Sequence, residues 1–113
     1  MHYLVTGHTG FKGTWLVNML IHLGHEVSGL ALDPAPNSLF IKSKTNDLLT
    51  HDFRVDIRDI EELRKSLNGH KFDVVIHLAA QALVIDSYND PIETFNINVM
   101  GTLNVIKVTD EIV

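Results

Sequence analysis

Tyr3-Leu4-Val5-Thr6-Gly7-His8-Thr9-Gly10-Phe11-Lys12-Gly13-Thr14-Trp15-Leu16 decides how the rest of the chain reads. A short apolar run feeds a turn studded with glycine, and the turn opens a segment of helical apolar spacing. The glycines stand at Gly7, Gly10 and Gly13, which is G-x-x-G-x-x-G, one residue wider at its first gap than G-x-G-x-x-G. In a strand-turn-helix each has a physical task. Gly7 permits the sharp turn, Gly10 lets a pyrophosphate approach the backbone, and Gly13 lets the helix sit close on the strand. The N–H groups of the helix's first turn then face the anion. Glycines alone would mark only a turn; the strand before and the helix after turn them into a candidate phosphate cradle.

Working outward, residues 3–6 read as a buried parallel strand. Phe11, Trp15, Leu16, Met19, Leu20 and Leu23 recur at helical spacing, with that face expected to turn to the sheet, and Gly24 ends the helix. Residues 26–32 form a second strand, which Asp33-Pro34-Ala35-Pro36 stops. Residues 39–50 fit one or two short helices or an irregular loop. A third strand is expected over 51–57, then a helix with Asp59 as N-cap and Gly69 just past its end. Residues 71–78 make a fourth strand, apolar enough to be covered on both faces. Residues 79–90 read as a loop, and Pro91 takes the N1 position of a last helix running to near the end. The alternation makes an α/β domain with a parallel sheet and right-handed crossovers. Its expected strand order is 3-2-1-4, the N-terminal half of a doubly wound Rossmann fold, truncated after four strands.

Composition bounds the partners. The 113 residues are one domain at most, 45% hydrophobic and 20% charged, an ordinary globular balance. A formal charge of −5 argues against a nucleic-acid surface, which needs a basic footprint. There is no cysteine, which removes disulfides and thiolate zinc sites and fits a cytoplasmic home. No apolar run reaches membrane-spanning length. The seven histidines are scattered; His22 and His25 are close but have no carboxylate at ligand spacing, so no metal site is expected.

Thr6 to Gly13, followed by Trp15-Leu16, resembles the opening of the extended short-chain dehydrogenase/reductase superfamily. Within it the chain looks most like the CDP-glucose 4,6-dehydratases. Further matches follow in order: Ser38-Leu39-Phe40, Asp56-Ile57-Arg58-Asp59, His77-Leu78-Ala79-Ala80-Gln81, Ser87-Tyr88, Asp90-Pro91, Thr94-Phe95 and Asn98-Val99-Met100-Gly101-Thr102. The resemblance covers essentially the whole chain, while the enzymes it resembles are roughly three times longer. It therefore implies a partial NAD-binding domain over residues 1–113, without the catalytic half and the substrate domain.

Position by position, the resemblance implies that Gly7, Thr9, Gly10, Phe11, Lys12 and Gly13 hold the NAD pyrophosphate. Asp56 and Ile57 would border the adenine, the carboxylate accepting from the exocyclic amine. Leu78, Ala79 and Ala80 would let the cofactor cross the sheet edge, and Ser87 and Asn98 would line the nicotinamide side. His77 reads equally as a packed histidine or a cofactor contact. One departure concerns the acidic residue that meets the adenosine ribose at the end of the second strand. Its usual place falls on Ala31, with Asp33 two residues beyond on the same strand parity. NAD is preferred over NADP because no arginine follows that could meet a 2′-phosphate.

The superfamily's Tyr-x-x-x-Lys pair is not present: Tyr3 and Tyr88 are followed four residues on by Gly7 and Ile92. The full enzyme implied is an NAD-dependent lyase forming a 4-keto-6-deoxy sugar nucleotide for deoxysugar and O-antigen biosynthesis. The chain alone is expected to be catalytically silent, with no catalytic residue of its own. Two alternatives stay open. One is part of another NAD-dependent sugar-nucleotide epimerase or reductase, the other a vestigial nucleotide-binding protein. The open edge of the fourth strand predicts self-association.

Overall fold

A computed structural model describes residues 1–80 and 84–112. The glycine turn leaves β1 (His2–Thr6) and enters α1 (Phe11–His22). Then come β2 (Glu26–Ala31), α2 (Leu39–Lys42), a 3-10 turn over Thr45–Leu48, β3 (Asp52–Arg54), α3 (Ile60–Leu67) and β4 (Val74–His77). The chain ends in α4 (Val84–Asn89), α5 (Pro91–Phe95), a π-helical stretch over Asn96–Gly101 and α6 (Thr102–Ile112). The sheet is parallel in the order β3-β2-β1-β4, as the alternation of elements requires. Thr6 stands opposite both Leu30 and His77, so the carboxyl ends of three strands finish level with the turn.

The pleat divides β1 between two cores. Leu4 packs with Leu30, Val55, Leu63, Phe72 and Val108 beneath α3 and α6; Val5 packs with Val17, Leu20 and Val27 beneath α1. Asp59 caps α3 by accepting from the Glu62 N–H at 3.2 Å, and Gly24 and Gly69 take left-handed φ of 91° and 81° after their helices.

Five expectations need correction. α1 does not bury the stripe of its largest side chains: Phe11, Trp15, Met19 and Leu23 are exposed, and Gly13, Thr14, Val17 and Leu20 face the sheet. Close approach at Gly13 decides which side meets the strand, and small residues there leave little apolar signal. The segment 79–90 is not all loop, since α4 occupies its second half. β3 is shorter than expected, although the Thr50 and Val55 N–H groups still donate to β2 carbonyls on either side of it. The final helix is interrupted by its π stretch rather than regular. The fifth correction concerns β4, which was expected to be covered on both faces: it forms one edge of the sheet and is half-buried throughout.

Candidate functional site

Gly7 adopts a left-handed φ of 76°, and a Cβ there would lie 2.7 Å from the Ala79 nitrogen. At Gly13 a Cβ would lie 2.1 Å from the Gly7 oxygen, inside the backbone of the turn itself. Gly10 is different. Its φ is −77°, and the one atom near its missing side chain is the Gly7 oxygen at 3.4 Å. Two glycines therefore make the turn possible, and the third leaves open space above it. Among the described residues no side chain caps the first turn of α1, whose N-cap is Gly10.

Thr6 ties this turn to the end of β4. Its Oγ1 accepts from the Leu78 and Ala79 N–H groups at 3.1 and 3.2 Å, which leaves its hydroxyl to donate to His77 Nδ1 at 2.6 Å. His77 Nε2–H then donates to Thr102 Oγ1 at 3.0 Å, and that hydroxyl donates to the Asn98 carbonyl at 2.7 Å. The chain of donors assigns a neutral imidazole. Burial likewise pushes the His77 pKa down. His77 is thus a packed histidine tying β1 to the last helix, and it does not line the cleft described next.

The carboxyl ends of all four strands enclose a cleft of about 320 Å³. Gly7, Thr9 and Gly10 form one wall, Asp56 and Ile57 another, and Leu78, Ala79 and Ala80 a third. Ala31, Leu32, Val55, Arg58 and Ile97 complete it; Ala31 stands at the usual place of the ribose-binding acid, and the other four were not singled out as site residues by the motifs. The reversal of strand order between β1 and β4 is where α/β sheets open a ligand crevice. Phe11 and Lys12 point to solvent, Gly13 is buried beneath the turn, and Asn98 is half-buried on the π stretch outside the lining. Gly101 and Asn104 act from behind. A Cβ on Gly101 would meet Ile57 Cδ1 at 2.6 Å, and Asn104 Nδ2 donates to the Ile57 carbonyl at 2.9 Å.

Asp33 sits outside the lining. Its carboxylate is 3.0 Å from Arg54 Nη1, and Arg54 also forks onto Asp52 through Nε (2.9 Å) and Nη2 (2.8 Å). An arginine therefore does reach the second strand's end, from β3 rather than from the residues that follow Asp33. Two carboxylates more than balance its single charge. Asp52 also accepts from His8 Nε2 at 2.7 Å, and His8 is wholly buried with its ring against Gly29, where a Cβ would lie 2.2 Å away. Burial lowers the His8 pKa below 6.5, outweighing Asp52's opposite effect. Protonated Nδ1 would be a buried donor without a partner among the described residues.

Residues 4–112 match the profile of GDP-mannose 4,6 dehydratase. The chain belongs to the GDP-mannose 4,6-dehydratase family. It is 48% identical over 109 residues to CDP-glucose 4,6-dehydratase of Salmonella typhimurium, covering 96% of this chain and 30% of that one. The solved structure of Pal from Bacillus thuringiensis superposes with a TM-score of 0.84 at 33% identity, over 99% of this chain and 36% of Pal. UDP-glucose 4-epimerase of Thermus thermophilus, solved in complex with NAD, gives 0.80 at 34% identity, over 98% of this chain and 34% of the epimerase. The chain thus spans about a third of the length of these family relatives, and what it matches is their N-terminal Rossmann half.

Proposed function

We propose that the chain is the NAD-binding N-terminal part of a sugar-nucleotide 4,6-dehydratase of the CDP-glucose type. One observation carries the reading: the glycine turn and the ends of β3 and β4 meet in a single cleft, in a chain 48% identical to such an enzyme. Thr9 and the first residues of α1, Phe11, Lys12 and Gly13, would hold the pyrophosphate through main-chain N–H groups, while Gly7 and Gly10, whose own N–H groups donate to the Leu30 and Gly7 carbonyls, would give it room. Asp56 and Ile57 would take the adenine; Leu78, Ala79 and Ala80 would flank the crossing at the sheet edge, and Asn98 the nicotinamide side. Asp33 joins the ribose site only by giving up Arg54. When bound, NAD supplies a hydride acceptor and donor. This chain's residues bind and orient it, and Tyr3 and Tyr88, lacking a lysine four residues on, give no phenolate for the sugar.

The double pairing of Arg54 supports NAD over NADP, since an arginine already held by two carboxylates has little left for a 2′-phosphate. The lack of cysteine supports a cytoplasmic home. The exposed edge of β4 supports self-association, which sedimentation would detect as species larger than a monomer; a clean monomer contradicts it. A second reading, another NAD-dependent sugar-nucleotide epimerase, is favoured by the likeness to the Thermus epimerase. Substituting this chain for the matching segment of the Salmonella enzyme tests the NAD-binding role that both readings share, since the parts that select and transform the sugar nucleotide come from the host enzyme. A folded chimera that dehydrates CDP-glucose supports the proposal; one that folds but binds no NAD contradicts it. The 113-residue chain alone, given NAD and CDP-glucose, is expected to show no turnover.

A further inference from the structure

Arg58 lines the cleft beside Asp56 and clamps it. Its Nε donates to Asp56 Oδ1 at 3.0 Å, with a longer arm of 3.1 Å to Oδ2, and its Nη2 donates to Oδ2 at 2.6 Å. The Arg58 backbone N–H donates to Oδ1 as well, at 3.0 Å. An ionised carboxylate offers about four acceptor sites. The guanidinium fork takes the two that face each other, and the backbone N–H takes the second on Oδ1. Among the described residues no further donor reaches the outer position on Oδ2, which carries only the Nη2 bond and the longer, shared Nε arm. The clamp is braced from outside, because Arg58 Nη1 lies 3.4 Å from Glu93 Oε1 on α5. Asn104 fixes the same turn from α6 by donating to the Arg58 carbonyl at 3.3 Å.

We propose that Arg58 is the positioning residue that makes Asp56 a reader of the 6-amino group of adenine, by leaving one acceptor site open to the cleft. The inference rests on the reading that the cleft holds the adenosine half of NAD. A purine with a 6-oxo group presents an acceptor where adenine presents a donor, and the carboxylate repels it. Without the fork, Asp56 turns freely and accepts from either kind of base edge, so selectivity falls further than affinity.

The test compares binding of NAD with that of nicotinamide hypoxanthine dinucleotide, which carries oxygen in place of the amine. The wild-type chain is expected to prefer NAD by about tenfold or more, the discrimination of a site built around one polar contact. Arg58→Gln is expected to lower that ratio below about threefold, and Arg58→Lys, which keeps the charge but has no fork, to lower it similarly. Asp56→Asn, whose amide can donate to a 6-oxo group, is expected to shift the preference toward the hypoxanthine compound. Thermal melting of each variant confirms that it is folded. If the wild type binds neither dinucleotide, or binds both equally, the adenine reading itself fails. If the wild type discriminates and Asp56→Asn does not, while both Arg58 variants keep the wild-type ratio, the adenine reading stands and the role given to Arg58 is overturned.

Discussion

Alanine at Gly10 and alanine at Gly13 should separate binding from folding. At Gly13 the added methyl would sit 2.1 Å from the Gly7 oxygen and 2.8 Å from the His8 Cα, both backbone atoms that cannot swing aside. Overpacking of this kind costs about 1–3 kcal/mol or more, against a total stability of about 5–15 kcal/mol. At about 3 kcal/mol the melting temperature falls by well over roughly 10 °C. At Gly10 the backbone already has a φ of −77°, and the nearest obstacle is 3.4 Å away. The cost there is that of alanine at an N-cap, about 0.5–1 kcal/mol, or roughly 4–8 °C at most. The Gly10 methyl would nevertheless occupy the space proposed above for the pyrophosphate, so NAD affinity should drop by about tenfold or more, about 1.4 kcal/mol. Differential scanning fluorimetry and equilibrium binding on both variants are the assays. A Gly10→Ala chain that binds NAD as tightly as the wild type, or unfolds as readily as Gly13→Ala, refutes the reasoning.

Four further outcomes are expected. His8 and His77 both have folded pKa values below 6.5, so the folded state takes up fewer protons than the unfolded. Their contribution is fully present above about pH 6.5 and is lost as the pH falls below it, so the urea midpoint should drop between about pH 7.5 and 5.5; an unchanged or rising midpoint contradicts this. Gly29→Ala drives a methyl into the buried His8 ring and should cost about 2 kcal/mol or more despite alanine's better strand propensity, as denaturant titration would show. Asp33→Asn removes one of Arg54's two carboxylate partners and should narrow the preference for NAD over NADP in competitive binding; a wider preference argues against the charge-pairing account. Trp15→Gln alters a side chain that is 60% exposed, so it should change stability by less than about 0.5 kcal/mol in denaturant titration; a larger loss would contradict the placement of this face of α1 away from the core.

The order of strands was legible because apolar runs, glycine turns and proline punctuation repeat on the same plan from β1 to β4. The Asp59 cap and Pro91 at N1 were legible for the same local reasons. The buried face of α1 was not, because Gly13 and Thr14 contact the sheet through lack of bulk, which an apolar count cannot register. Arg54 escaped notice as a partner of Asp33 because the two are 21 residues apart and meet only when β3 pairs with β2. Gly101 and Asn104 support Ile57 across more than forty residues, another relation that periodicity does not carry. The cleft's three walls at Gly7–Gly10, Asp56–Ile57 and Leu78–Ala80 were legible as motifs; their convergence is a property of the parallel sheet.

The most direct test of the central claim is amide-resolved NMR of the 113-residue chain during titration with NAD. Saturable shifts are predicted at Gly7, Thr9 and Gly10, at Asp56, Ile57 and Arg58, and at Leu78, Ala79 and Ala80, with His51 and His70 at the opposite end of the sheet unmoved. No shifts at millimolar NAD, or shifts confined to residues outside those three groups, would contradict the assignment of this cleft to the dinucleotide.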